Sequence, residues 1–382
     1  MVSCHLSELI GNVGTFAMTC RHRNFLCATL RNLPRLPVSI LKMTDTECFF
    51  SCDWGTTNCR VRLVRTADGS ALGAISSADG AGSLATREPD AAKRRELYSS
   101  ILKRAARELG DRFGIMPHDC VVSGMASSRL GWQELPYAGL PQPLDGSGLV
   151  TGEIQVVTGS GSAGLEVILV SGVRSENDVM RGEEVEVIGM AELDPSLFLS
   201  ERVTLILPGT HSKHITLKKG QITGLTTFMT GEVFAALRCA PTLRPCLEDG
   251  NVDPSCAQYG QGLRDAHSPG LPASLFKIRA GSLLDGTSGA DGLAYLSGLL
   301  IGGEIAHLHE AAGQIVVAAE GALGGLYRAA FAALGIPAGF AEPGMLERAV
   351  ILGHRKIINA HRTSPSGQVP VQSREHPAET IS

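Results

Sequence analysis

The sequence contains no G-x-x-x-x-G-K-[ST] stretch, no C-x-x-C pair, no extended block of basic residues, and no apolar run approaching the ~18 residues that cross a bilayer. Each absence removes a class. Without the Walker-type loop, any phosphate site has to be built on another scaffold. Without a basic block, and with a net charge of -4, nothing points to a nucleic acid or another polyanion, and small-molecule chemistry is the default. The longest apolar runs, residues 165–170 and 293–301, are too short for a transmembrane helix. The ten cysteines are scattered, mostly through apolar runs, as reduced thiols of a cytoplasmic enzyme are rather than as a disulfide framework. What is present is a chain of 382 residues, 43% apolar and 19% charged, long enough for two domains with a core each.

Residues 49–64, F-F-S-C-D-W-G-T-T-N-C-R-V-R-L-V, organise the rest. An apolar run reaches Asp53, turns through Gly55, Thr56, Thr57 and Asn58, and leaves as a strand with alternating apolar positions. A glycine and small hydroxyl residues at such a turn expose backbone N–H groups to phosphate, and the carboxylate can hold a hydrated Mg²⁺. An ordinary hairpin, whose Asp and Asn only satisfy the turn, is the other reading. Residues 1–42 carry Arg21, Arg23, Arg31, Arg35 and Lys42 against one acid, Glu8. They read as a transit peptide or as a segment upstream of a start at Met43, outside the fold either way. The other end, residues 363–382, reads as a disordered tail.

Between these ends, strands are expected at 48–54, 59–66, 71–77 and 119–124, with a helix at 91–109. Residues 159–164 spell a formal G-x-G-x-x-G, but a strand follows at 165–170 where a dinucleotide fingerprint needs a helix, so that reading is rejected. The opening theme then recurs. A strand at 203–207 turns through Pro208, Gly209, Thr210, His211 and Ser212 and leaves at 213–217, which sets the two Gly-Thr turns 154 positions apart. A third strand at 221–226, helices at 231–238 and 291–309, a strand at 314–319 and a helix at 323–334 complete the pattern. Repeated meanders followed by alternating helices and strands predict an α/β protein with a duplicated fold and a phosphate grip on each lobe.

Six stretches carry a family resemblance: D-W-G-T-T-N (53–58), S-G-M-A-S-S-R-L-G-W-Q-E-L-P-Y (123–137), D-V-M-R-G-E-E (178–184), P-G-T-H-S-K (208–213), M-T-G-E (229–232) and S-G-L-L-I-G-G-E (297–304). In this order the chain resembles the 2-dehydro-3-deoxygalactonokinase family, over about residues 47–360. The resemblance implies the two-lobed ribonuclease-H-like, actin-like ATPase fold, with a mixed sheet and helices on both faces in each lobe. The implied division is a leader at 1–46, an N-terminal lobe at 47–175, an interlobe helix at 176–200, a C-terminal lobe at 201–362 and a tail at 363–382. The implied activity is transfer of phosphate from ATP, with Mg²⁺, to the terminal hydroxyl of a six-carbon 2-keto-3-deoxy sugar acid in galactonate catabolism. A kinase for another sugar acid, or a sensor that has lost catalysis, shares most of these features. The implied partners are small molecules in the cytoplasm, with a homodimer as one option.

Roles follow residue by residue from the resemblance. Asp53 positions Mg²⁺ through water, while Gly55, Thr56, Thr57 and Asn58 meet the phosphates from the first lobe and Gly209 and Thr210 from the second. Lys213 adds charge, or is a solvated strand lysine. Glu183 is the base for the sugar hydroxyl, ahead of Glu184 and Asp178, although relatives often carry Asp. Arg129 and Arg181 are candidates for the substrate carboxylate. Ser127, Ser128 and Trp132 are candidates for the sugar, with core packing the other option for Trp132. The turn at Gly321 and Gly324 is assigned to adenosine, where Glu320 departs from the family's usual Gly. His211 and His214 have H-x-x-H spacing but no companion Cys or carboxylate in sequence, which disfavours a metal.

Overall fold

The computed structural model describes residues 44–157, 164–306, 308 and 313–363. The leader through residue 43, the tail from 364 and most of the formal G-x-G-x-x-G stretch lie outside the described residues. Residues 44–47 form a capped turn tied to the fold, with the Asp45 carboxylate accepting the Met116 N–H at 2.7 Å.

The first half runs β1 (Cys48–Trp54), β2 (Cys59–Arg65), β3 (Ala71–Ser77), α1 (Ala81–Arg87), α2 (Ala91–Phe113) and β4 (Asp119–Gly124). Next come β5 (Ala138–Gly139), β6 (Gln142–Pro143), β7 (Thr151–Val156), β8 (Leu165–Val170), β9 (Val173–Arg174), β10 (Val179–Met180), α3 (Glu183–Leu193) and α4 (Pro195–Leu199). The second half runs β11 (Val203–Leu207), β12 (Ser212–Lys218), β13 (Gln221–Phe228), α5 (Thr230–Cys239), α6 (Ala257–Asp265), α7 (Leu271–Leu284) and α8 (Gly289–Ile305). It closes with β14 (Gln314–Val317), α9 (Gly321–Leu334), β15 (Gly339–Phe340) and α10 (Met345–Thr363).

The duplication expected from the two hairpins is present as topology. One sheet has the order β3-β2-β1-β4-β8-β7 and the other β15-β14-β11-β12-β13-β6. Each contains an antiparallel three-stranded meander whose first strand pairs in parallel with a later strand, β4 on β1 and β14 on β11. This is the two-lobed mixed-sheet α/β fold.

Period-two alternation decides what each face meets. In β1, Phe49 and Ser51 face α3 and α10, with the Ser51 hydroxyl 2.8 Å from His354 Nδ1 on α10. Trp54 faces the other way, its ring 4.5 Å from Tyr98 on α2. In β11, Val203, Leu205 and Leu207 join the cluster around α3 and α10, while Ile206 packs with Tyr259, Leu263 and Ala294 of α6 and α8. One core therefore runs between the sheets through α3 and α10, and each sheet has a second helical layer outside it. The two central helices touch at Gly189, where an added Cβ would lie 1.7 Å from the Ala349 carbonyl, so only glycine allows this approach.

The expected strands are found within two residues, the strand at 314–319 stopping at Val317 and that at 221–226 running on to Phe228. The helix expected over 291–309 begins at Gly289, where Ser288 caps it, and ends at Ile305, with His309 outside the described residues. Its apolar stretch is core rather than surface: Leu293, Leu296, Leu299 and Ile301 are all buried. No helix among the described residues is long and apolar enough to cross a membrane.

Candidate active site

A cavity of about 370 Å³ opens where the two hairpin turns face the start of α3. Asp53, Gly55, Thr56, Gly124, Arg181, Gly182, Glu183, Glu186, His211 and Lys213 line it, together with Tyr137 and Val350. A larger cavity of about 700 Å³ near Gly313 and Ile336 has no acidic or basic side chain in its lining and offers no chemistry.

Asp53 stands near the end of β1. Burial pushes its carboxyl up, and the guanidinium groups of Arg62 and Arg60 pull the other way. The following turn is fixed by its own carbonyls, since Gly55, Thr56 and Thr57 accept N–H groups from Ala81, Gly82 and Gly80 at 2.9–3.1 Å. The hairpin tip is thus clamped to the start of α1, leaving Gly55 and Thr56 on the cavity wall. Thr57 and Asn58 are exposed and outside the lining.

The N-terminus of α3 supplies the carboxylates. Gly182 has φ of +114°, which turns the chain so that α3 begins at the cavity edge. Glu183 accepts the Arg181 N–H at 3.0 Å through one oxygen, and its other oxygen lies 4.0 Å from Lys213 Nζ. Glu184, the expected rival for the base, is turned away. It is fully buried, both oxygens accept the Gly182 N–H at 2.9 and 2.8 Å, and burial together with Glu183 pushes its carboxyl up to about 8. Asp178, the third expectation, is also spent elsewhere, accepting the Thr227 N–H at 2.5 Å and hydroxyl at 2.8 Å, which ties β10 to β13.

Glu186 was not anticipated. It lines the cavity, and burial, then Asp53 and Glu183, push its carboxyl well above the usual range. Positions 183 and 186 share a helix face whereas 184 lies about 100° around it, so i,i+3 spacing from Glu183 was the available signal.

On the second lobe, the β11–β12 turn brings His211 and Lys213 to the cavity. Lys213 is not a solvated lysine: it is 6% exposed, and its ammonium donates to Val179 O at 3.2 Å and Thr227 Oγ1 at 2.9 Å. His211 and His214 point apart, so the H-x-x-H spacing makes no joint metal site. His211 Nε2 meets Glu232 at 2.5 Å, and His214 Nε2 meets Glu304 at 3.0 Å. Glu304, in the last turn of α8, is a second residue without an anticipated role. Its buried carboxylate also accepts Ser212 Oγ at 2.7 Å, Tyr327 OH at 2.8 Å and the Thr230 hydroxyl, joining β12, α5, α8 and α9.

The loop expected to bind the sugar sits behind the cavity wall. Trp132 is 3% exposed and packs against Trp54 and Tyr98, so its role is core. Ser128 donates to Met125 O at 2.7 Å, and Arg129 is exposed outside the lining. Ser127 is buried and receives Arg181 Nη1 at 2.5 Å. Arg181 does line the cavity, with its guanidinium 4.1 Å above the Tyr137 ring, but Nη1 also donates to Ser127 O and Nη2 to Leu135 O. Its planar fork is therefore occupied by the protein.

Behind the second turn lies an apolar pocket of about 120 Å³ lined by Gly209, Thr230, Phe234, Leu300, Leu323 and Tyr327, among others. Gly324, in the first turn of α9, is packed against Ala319 O, and Gly321 begins the helix with an open flank. Glu320 does not fill the turn, because its carboxylate reaches away to accept the Gly344 N–H at 2.8 Å. Gly209 thus borders the apolar pocket while His211, two residues on, borders the carboxylate-lined cavity, and one turn separates the two.

Comparison with known proteins identifies the family. A protein from Rhizobium meliloti (strain 1021) named as a 2-dehydro-3-deoxygalactonokinase is 30% identical over 308 residues, covering 77% of this chain and 92% of its own. The 2-dehydro-3-deoxygalactonokinase of Escherichia coli (strain K12) is 27% identical over 299 residues, covering 76% and 91%. A crystal structure from Sinorhizobium meliloti assigned to the same activity superposes with a TM-score of 0.66 at 28% identity, covering 82% of this chain and 98% of that one. The family model described as 2-keto-3-deoxy-galactonokinase matches residues 53–357, and the chain belongs to that family.

Proposed function

We propose that the protein is an ATP-dependent kinase that phosphorylates the terminal hydroxyl of 2-dehydro-3-deoxygalactonate, giving the 6-phosphate. The observation that carries this reading is the second turn, with an apolar pocket at Gly209 on one side and a carboxylate-lined cavity at His211 on the other. A nucleoside triphosphate lying across it has its adenosine against Phe234, Leu323 and the start of α9. Its phosphates run past Gly209 and Thr210 toward Gly55 and Thr56. Phosphoryl transfer asks mainly for positioning and charge neutralisation, which such a two-sided arrangement supplies.

Glu183 is the group suited to take the proton of the acceptor hydroxyl. It is partly exposed to the cavity, and Lys213 beside it offers charge to the transferred phosphoryl group. Asp53 and Glu186 suit a hard divalent cation, because they present only carboxylate oxygens and each lies in the field of the other. Mg²⁺ held there through water would neutralise charge on the phosphate oxygens. Arg181 gives the sugar-acid end of the cavity a positive field rather than a bidentate fork, since its Nη atoms are committed.

The test is ADP release measured against a panel of 2-keto-3-deoxy sugar acids with Mg²⁺. Turnover on the galactonate derivative, with phosphate on its terminal oxygen by mass spectrometry, supports the reading. ATP binding without turnover on any acid of the panel contradicts it.

A further inference from the structure

One side chain of the cavity has no task in this scheme. His211 stands two residues after Gly209 in the β11–β12 turn, and its ring forms part of the wall that also contains Asp53, Gly55, Thr56, Glu183 and Lys213. Its Nε2 lies 2.5 Å from Glu232 Oε2, and Glu232 itself is not part of the lining. The Glu232 backbone N–H donates to Thr210 O at 3.0 Å, so both ends of this residue hold the turn against the start of α5. A carboxylate behind one ring nitrogen fixes the imidazole's orientation and leaves Nδ1 for a further partner.

The charge balance of the cavity makes that nitrogen useful. Three carboxylates line it, Asp53, Glu183 and Glu186, against the cations Arg181 and Lys213. Both Arg181 Nη atoms already donate to Ser127 or Leu135, and Lys213 donates to Val179 O and Thr227 Oγ1. Each cation thus keeps only part of its donor set for a ligand, and a triphosphate brings more acceptor oxygens than those N–H groups meet, so a further donor in the wall is useful.

Resting on the kinase reading, we propose that His211 contacts the terminal phosphoryl group of the bound nucleoside triphosphate, donating a hydrogen bond from Nδ1, and that Glu232 is its positioning residue. The contact adds a hydrogen bond to the group being transferred and makes no covalent bond. It discriminates between triphosphate and diphosphate, because a diphosphate ends short of it.

The test uses the full chain and calorimetric titration with ADP and with a non-hydrolysable ATP analogue, alongside steady-state kinetics. His211→Ala is expected to weaken the analogue about 10-fold while ADP affinity stays within about twofold, and to lower kcat about 100-fold with KM for the sugar acid unchanged. Glu232→Gln is expected to show a smaller loss of the same kind, about 10-fold in kcat, with Glu232→Asp restoring part of it. Equal weakening of ADP and analogue in His211→Ala means the pair only staples the turn to α5, and overturns the proposal. So does a kcat within about threefold of wild type. Should His211→Ala melt at a lower temperature, His211→Gln, which keeps a polar side chain at the turn, carries the same comparison. Binding is read without turnover, so a wild-type protein inactive on the sugar acid contradicts the kinase reading while the ADP-to-analogue ratio still decides the role of His211.

Discussion

Three glutamates within four positions of α3 have different surroundings and different expected effects. Glu183 opens to the cavity beside Lys213, Glu184 is buried on the Gly182 N–H, and Glu186 faces Asp53. Glu183→Gln is expected to lower kcat by about 10²–10⁴-fold with the melting temperature unchanged, as measured by ADP release and circular dichroism. Glu184→Gln retains kcat within a few-fold under the same assay, because that side chain does not reach the substrate. For Glu186→Gln, the Mg²⁺ concentration giving half-maximal activity rises about 10-fold or more, read from a metal titration of the rate. The sequence reading put Glu183 ahead of Glu184 as the base with little to separate them, since adjacency along the chain says nothing of direction. Of the two readings for Trp132, core packing is the one the structure shows, and the sequence left them open for a related reason. Its partners Trp54 and Tyr98 are far away in sequence, and the loop that carries it faces the core.

At the scale of elements, the hairpins were legible because their alternation has a period of two and their turns are marked by Gly and Thr. The last helix, α10, was not anticipated, although it supplies Val350 to the cavity and His354 to the core. Its role depends on crossing α3 at Gly189, a contact between distant segments that no local pattern reports. Burial, and then the Arg62 guanidinium, push the His354 imidazole down to about 3. An unfolded histidine titrates near ~6.5, so the stability that depends on neutral His354 is complete above that pH and is lost as pH falls toward the folded value. Denaturant unfolding at pH 7.5 and pH 5 should therefore show a loss in wild type that His354→Asn reduces. Glu304 acts at the same scale by satisfying four donors from three other elements. Glu304→Ala leaves those donors buried and unpaired, and is expected to cost about 3 kcal/mol or more in the same unfolding experiment. It also loosens Thr230 on the wall of the apolar pocket, so nucleotide affinity falls with it.

For the whole molecule, the sequence repeat and the sheet orders describe one design, in which two copies of a meander present two turns to a shared space. What the repeat did not disclose is that the second turn separates two cavities of different character, since that depends on α5, α8 and α9 meeting behind it. Substrate choice belongs to this scale too. In the kinase reading proposed above, the cavity between the turns, with Arg181, Tyr137 and Lys213 in its wall, is the surface offered to the sugar acid, ahead of the 127–132 loop. The central claim, that these two turns and Glu183 form one phosphoryl-transfer site, is tested most directly by ADP release with 2-dehydro-3-deoxygalactonate in wild type, Asp53→Ala and Glu183→Ala. The account predicts sugar-acid-dependent turnover in wild type and a loss of about 100-fold or more in each variant, with all three proteins folded. Wild-type turnover retained by both variants would contradict it.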